Sequence, residues 1–183
     1  MTDSLGIIKY EPPIPACLAG LAKGNFPGFL SKTDEERVQN IKPHIYEQWR
    51  NNHVFYVTEK LDGSSMTCYL KDGVFGVCSR NLDLKETEDN SFWKVARELN
   101  IEEGMRNRKE RTKSIAIQGE LIGPGIQGNP YKLTKHMFYV FNAYDIVKSE
   151  FFCRNSMLHL CLSLGLKSVP VLDSRFFLPE TVD

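Results

Sequence analysis

Short apolar runs separated by Gly, Asp, Asn and Pro dominate this chain, and helical periodicity is confined to a few stretches. Val54-Phe55-Tyr56-Val57-Thr58 is β-branched and aromatic and reads as a strand that delivers Lys60 to a rigid rim. Lys60-Leu61-Asp62-Gly63 follows, and its Asp-Gly supplies the geometry of a tight reversal. The spacing predicts that this turn leads directly into a second strand. Met66–Leu70 and Val74–Cys78 flank Lys71-Asp72-Gly73, which predicts a hairpin with Asp-Gly at its tip. Ser114–Gln118, His136–Ile146 and Val169–Leu172 are further strand-like runs. Phe92, Val95, Ala96 and Leu99 fall at i, i+3, i+4 and i+7, so Ser91–Asn100 reads as an amphipathic helix. Ser156–Leu164 reads as a helix stopped by Gly165. Thr33 with Glu36 three residues later forms a capping box and predicts a short helix through Asn40. Helical turns at His44–Arg50 then lead into the Lys60 strand.

Two segments carry weaker patterns. Residues 1–30 hold prolines at 12, 13, 15 and 27 and read as a turn-rich lead-in whose apolar side chains pack on the remainder. Residues 102–113 are densely charged and read as a solvated loop or frayed helix end. Residues 31–183 then form one domain. Strands gathered into hairpins, with helices between some of them, predict an α+β fold with mainly antiparallel sheet.

Composition narrows the function. Lys+Arg and Asp+Glu both number 23, so the net charge is zero and any polynucleotide must be met by a local basic groove. The five cysteines (17, 68, 78, 153 and 161) form no Cys-x-x-Cys pair and sit mostly in apolar runs. That pattern predicts buried free thiols in a reducing compartment, and the chain reads as soluble and intracellular, with no membrane span and no signal peptide. The four histidines share no ligand spacing with the cysteines, which argues against a zinc site.

Gly123-Pro124-Gly125-Ile126-Gln127-Gly128 matches G-x-G-x-x-G, but Asn129-Pro130 follows in place of a helix that would face a pyrophosphate. The glycines read as shaping a tight loop behind Glu120. What remains is a polar set at strand ends: Lys60, Arg80 and Glu120, with the aromatic strand around Phe141. Each has an ordinary reading as surface or core. Together they supply a nucleophilic amine, a phosphate-binding guanidinium, a carboxylate for sugar hydroxyls and a ring that stacks on a base.

In that arrangement the chain resembles the covalent nucleotidyltransferase superfamily of ATP-dependent RNA and DNA ligases and mRNA capping enzymes. Lys60-Leu61-Asp62-Gly63 matches the lysine signature K-x-D-G, and Ser79-Arg80-Asn81 resembles the next motif. Gly119-Glu120-Leu121-Ile122-Gly123-Pro124-Gly125-Ile126-Gln127 is similar to the form found in RNA ligases of the T4 RNA ligase 2 type. Phe138-Tyr139-Val140-Phe141 resembles the following aromatic motif, with Phe141 the match and Tyr144 the fallback. The run from Lys32 to Asn40 looks like the branch that includes the Deinococcus and Naegleria enzymes. The resemblance covers about residues 25–183. The Gly-Pro-Gly-Ile-Gln loop argues against a DNA ligase or a guanylyltransferase.

The resemblance implies a nucleotidyltransferase fold: two antiparallel sheets flanked by helices, with ATP between them. It implies that Lys60 attacks ATP, that AMP passes to an RNA 5′-phosphate, and that a 3′-hydroxyl displaces it. Mg²⁺ or Mn²⁺ is the implied metal. Arg80 falls to phosphate or ribose, Glu120 to ribose hydroxyls and Phe141 to the base. Glu59 and Leu61 line the adenine slot, and Arg37 reaches pyrophosphate or RNA. Two later family motifs, a metal-binding glutamate and a Lys-x-Lys strand, have no counterpart here, so no metal ligand is assigned. The domain is expected to be incomplete at its C-terminus, with weak or absent adenylation by these 183 residues. The alternative is a ligase-like module that binds nucleotide or RNA without chemistry. The resemblance leaves the oligomeric state open.

Overall fold

A computed structural model describes residues 13–15, 18–108 and 114–181. Its elements in chain order are β1 (Ala22–Asn25), α1 (Pro43–Asn52), β2 (Phe55–Thr58), β3 (Ser64–Lys71), β4 (Val74–Cys78) and β5 (Leu82–Leu84). There follow α2 (Ser91–Glu98), α3 (Ile101–Arg106), β6 (Ile115–Ile122), β7 (Met137–Asp145), β8 (Glu150–Phe151), α4 (Arg154–Ser163), β9 (Lys167–Ser168) and β10 (Val171–Phe176). A large sheet runs β1-β5-β4-β3-β6-β7-β8, with β9 added parallel to β7. A small antiparallel sheet pairs β10 with β2. The α+β class and the two sheets agree with expectation, as does the hairpin β3–β4. Its tip holds Asp72 at φ 49° and Gly73 at φ 80°, the left-handed pair that a two-residue hairpin needs.

Period-two alternation splits the central strands between two surfaces. Met66, Cys68 and Leu70 of β3, with Ile115, Ile117 and Leu121 of β6, face a core completed by Trp93, Ala96, Ile101, Met105, Met157 and Leu160 of the helices. On the other face, Ser65 lies opposite Glu120, Thr67 opposite Gln118 and Tyr69 opposite Ala116. That face is graded. Tyr69, Ala116 and Tyr144 form an apolar cluster with Leu30, against which Phe26 and Phe29 pack, while its Ser65–Glu120 end is polar and open.

Five expectations are corrected. The Asp62-Gly63 turn leads into β3 as expected, but it is not a tight reversal that pairs the two strands. β2 takes β10 as its partner, so Lys60-Leu61-Asp62-Gly63 crosses from the small sheet to the large one. The capping box at Thr33 starts no helix: residues 31–37 have no regular structure, and only a 3₁₀ turn at Val38–Asn40 follows. Thr33 Oγ1 meets Ser65 Oγ instead of a helix N–H, because the segment is held by contacts with the sheet. The start of the charged run is not solvated loop but α3, whose Ile101 and Met105 are buried, and residues 109–113 lie outside the described residues. Two apolar residues four apart suffice once Arg97 and Arg106 both bind Glu102. The Val169–Leu172 strand is broken at Pro170, which lies between β9 and β10. Part of the lead-in is itself sheet: β1 pairs with β5, although Ala-Lys-Gly-Asn carries no strand signal. Such an edge strand is recruited by its backbone and not by its side chains.

Cys68, Cys78 and Cys161 are buried free thiols and Cys153 is an exposed one. Cys17 lies outside the described residues. Burial pushes the Cys161 thiol up to about 11 and drives Cys68 and Cys78 further in the same direction. Among the described residues, no helix is long and apolar enough to cross a membrane.

Candidate functional site

The open end of the large sheet's polar face and the exposed face of β2 bound a cleft of about 1740 Å³. Lys60, Glu59, Leu61, Arg80, Glu120 and Phe141 all line it, each delivered by a different local device. Lys60 leaves the end of β2, where the Glu59 N–H donates to the Pro170 carbonyl and extends the β2–β10 ladder by one bond. Tyr56, Thr58 and Lys60 share the cleft-facing side of this strand. Leu61 turns inward to a cluster with Ile122 and Val169. The Asp62 N–H donates to the Tyr131 hydroxyl at 2.8 Å, which ties the crossing to the loop after β6.

Gly63 makes the next close approach. A Cβ there would lie 2.4 Å from the Leu121 carbonyl oxygen and 2.6 Å from Ile122 Cγ2. The glycine is therefore required for space, and its N–H bonds to Glu120. Glu120 is half-buried on β6 beside this turn. Burial pushes its carboxyl above the ordinary value, against the lowering pull of the Gly63 N–H and the Lys60 and Arg80 charges; Asp62 adds to the rise. Lys60, Arg80 and Glu120 thus share one electrostatic environment although they are far apart in sequence.

A β-bulge sets the aromatic. Gln118 pairs with Asn142 and Gly119 with Val140, so Phe141 is the extra residue of β7. Without the bulge, Phe141 and Asn142 would point to opposite faces. With it, both reach the cleft, while Val140 and Ala143 keep to the helix-side core. Phe141 packs against the cluster of Leu61, Ile122 and Val169. Tyr144, the fallback, is buried in the apolar cluster with Leu30 and is not among the cleft-lining residues.

Arg80 follows β4 and gives one hydrogen bond from Nη2 to Asp34 Oδ1 at 2.6 Å. Arg37 is exposed at the start of the 3₁₀ turn and is not among the cleft-lining residues. The cations that line the cleft are Lys32, Lys60, Arg80 and Arg154, the last stacked over the Tyr56 ring at 4.2 Å. Gly123 (φ 140°) lies 2.8 Å, measured from a would-be Cβ, from His136 Cα. The glycine-rich stretch therefore folds as a tight loop, as expected, and brings Gln127 to the cleft. Sequence reasoning missed Tyr131, Asn142 and Lys32. Tyr131 gave no signal, because its partner comes from a distant segment, and Lys32 was noticed only as the start of the Lys32–Asn40 run. Asn142 adjoins Phe141, and an expected bulge would have found it.

Among curated protein sequences none matches this chain. Solved structures do. A point mutant of Naegleria gruberi RNA ligase with AMP and Mn is 45% identical, with a TM-score of 0.78, over 97% of this chain and 53% of that one. A second mutant, with ATP and Mn, gives the same values. The same enzyme with pyrophosphate is 46% identical, with a TM-score of 0.75, over 94% of this chain and 51% of that one. The chain thus spans about half the length of these relatives. The RNA ligase family matches residues 53–182, from the approach to β2 to the end of the described residues, and the chain belongs to that family.

Proposed function

We propose that this chain is the nucleotide-binding part of an ATP-dependent RNA ligase and that Lys60 carries AMP as a covalent intermediate. One observation carries the reading: Lys60, Arg80, Glu120 and Phe141 come from four separate segments and line a single cleft. In the first step the neutral Lys60 amine attacks the α-phosphorus of ATP. The Nζ–P bond forms, the bond to the bridging oxygen breaks, pyrophosphate leaves and Nζ loses a proton to solvent. Arg80 binds phosphate, ionised Glu120 accepts from ribose hydroxyls, and Phe141 stacks on the base beside Leu61. Glu59 borders the same slot. AMP then passes to an RNA 5′-phosphate, and a 3′-hydroxyl displaces it. Arg37, outside the cleft lining, fits a contact to RNA or to departing pyrophosphate better than one to the nucleoside. Residues 31–183 act as the adenylation domain in this reading, and residues 1–30 as its lead-in. Buried free thiols fit an intracellular, reducing compartment.

The donor chemistry of the cleft fits a divalent metal. Glu59, Asp62 and Glu120 offer hard oxygen ligands at the Lys60 end of the cleft. Among the described residues, no group of three or more His, Cys, Asp or Glu could hold an ion. With ATP bound, one or two of these carboxylates would hold Mg²⁺ or Mn²⁺ together with phosphate oxygens. Bound there, it neutralises charge developing on the phosphate oxygens.

Incubation with α-labelled ATP and Mn²⁺, followed by denaturing electrophoresis, tests the reading. A labelled adduct that disappears in Lys60→Ala is expected on a longer form that contains this chain, with a weak adduct or none on these 183 residues alone. Nucleotide binding that survives Lys60→Ala with no adduct in the parent would favour a non-catalytic binding module.

A further inference from the structure

Residues 31–35 run over the polar face of the large sheet, and every one of them is tied to it. The Gln118 amide donates to the Ser31 carbonyl at 2.7 Å, the Lys32 ammonium donates to Asn81 Oδ1 at 3.0 Å, and the Thr33 and Ser65 hydroxyls meet at 3.5 Å. Asp34 Oδ1 accepts from Arg80 Nη2 at 2.6 Å, and Glu35 Oε1 accepts from Asn142 Nδ2 at 3.2 Å. Alternate side chains go to opposite sides. Lys32 and Asp34 reach the turn after β4, whereas Thr33 and Glu35 reach β3 and β7. The two carboxylates thus end on Arg80 and on Asn142, the bulge residue next to Phe141.

We propose that Ser31–Glu35 is a positioning strap for the nucleotide, in which Asp34 orients Arg80 toward phosphate and Glu35 orients the Asn142 amide beside the base. The inference rests on the nucleotide-binding reading above. A guanidinium presents five donors in a rigid fork, so an acceptor on Nη2 fixes the plane of the fork and leaves other donors for an anion. The Asn142 amide has a donor end and an acceptor end. An ionised Glu35 only accepts, so it holds Nδ2 toward the strap and turns Oδ1 away from it as an acceptor for the ligand. Neither carboxylate is placed to stabilise the fold much. The Arg80 and Asp34 side chains are 65% and 60% exposed, and exposed pairs of this kind add little to folding. Their effect belongs in ligand affinity.

Calorimetric titration of this chain with adenosine, AMP and ATP tests the strap, using Asp34→Asn, Asp34→Glu and Glu35→Gln, with melting temperatures measured in parallel. Asp34→Asn is expected to weaken AMP and ATP by about two- to five-fold while leaving adenosine unchanged. Asp34→Glu restores most of the loss. Glu35→Gln weakens all three ligands by a similar factor. Tighter ATP binding by Asp34→Asn overturns the proposal, because Asp34 then competes with phosphate instead of aiming Arg80. So does an equal loss for all three ligands in Asp34→Asn, or a loss that follows the melting temperature, since either marks a scaffolding role. If the unsubstituted chain binds none of the three ligands, the nucleotide reading falls and the strap with it. If the parent binds and the variants match it, the strap alone is overturned.

Discussion

In the proposed reading Glu120 pairs a folding cost with a binding role, and pH separates the two. Burial raises its pKa above the ordinary 4.5, so the ionised carboxylate is the form that folding disfavours. That cost is present above the folded pKa and disappears below the unfolded one. Glu120→Gln removes the charge and keeps an oxygen that accepts from the Gly63 N–H. The variant is expected to melt higher than the parent at pH 7, with the difference closing as pH falls below about 4. Its nucleotide affinity is expected to fall at pH 7, because an amide oxygen is a weaker acceptor for ribose hydroxyls. Thermal denaturation at both pH values checks the first part, and a melting temperature at pH 7 equal to or below the parent's would contradict it. Lys60 and Arg80 were legible in the sequence as charged residues just beyond a strand, and Glu120 as a charge after the expected strand end at Gln118, although β6 runs on through it to Ile122. Tyr131 and Asn142 were not, because the features that place them are a distant N–H and a bulge.

The two Asp-Gly dipeptides show how one local signal serves two physical needs. In the β3–β4 hairpin, Gly73 is needed for its left-handed φ of 80°, and nothing lies within 4 Å of a would-be Cβ. At the crossing from β2 to β3, Gly63 is needed for space, because the Leu121 carbonyl sits 2.4 Å from that position. Gly73→Ala is expected to cost about 1 kcal/mol through backbone strain and to leave nucleotide affinity unchanged. Gly63→Ala is expected to cost about 1–3 kcal/mol, because backbone and not a flexible side chain must move. It also shifts the turn away from Glu120, so affinity falls with stability. Denaturant unfolding and ATP titration of both variants check the contrast, and equal effects would show that the two turns are not distinct in this way. Turn chemistry was legible at both positions. The sheet to which each strand belongs was not, because pairing β2 with β10 joins residues more than a hundred positions apart.

At the scale of the molecule, the cleft gathers charges of both signs from distant segments. Among the described residues its lining holds four basic side chains and four acidic ones: Lys32, Lys60, Arg80 and Arg154 against Glu35, Glu59, Asp62 and Glu120. Several are already engaged. Lys32 binds Asn81, Arg80 binds Asp34, Arg154 lies on Tyr56, and Glu35 takes the Asn142 amide. Glu120 takes the Gly63 N–H. The acidic groups come from the strap, the β2–β3 crossing and β6, so they do not close into a cage of three around one point among the described residues. No metal spacing was legible in the sequence, and the metal-binding glutamate of the later family motif has no counterpart among these residues. In the proposed reading, ATP oxygens with one or two of these carboxylates would supply the hard oxygen ligands that Mg²⁺ and Mn²⁺ prefer. Metal and nucleotide are therefore expected to bind with positive coupling, which by linkage is reciprocal. Proton relaxation measured with Mn²⁺ checks this. Mn²⁺ with protein alone is expected to give little enhancement, whereas Mn²⁺, ATP and protein together exceed the enhancement of Mn²⁺ with ATP. Asp62→Asn is expected to lower that ternary signal, because it replaces an anionic ligand at the Lys60 end of the cleft with a neutral one. Strong enhancement by Mn²⁺ and protein without nucleotide would instead mean that the chain holds a metal site of its own.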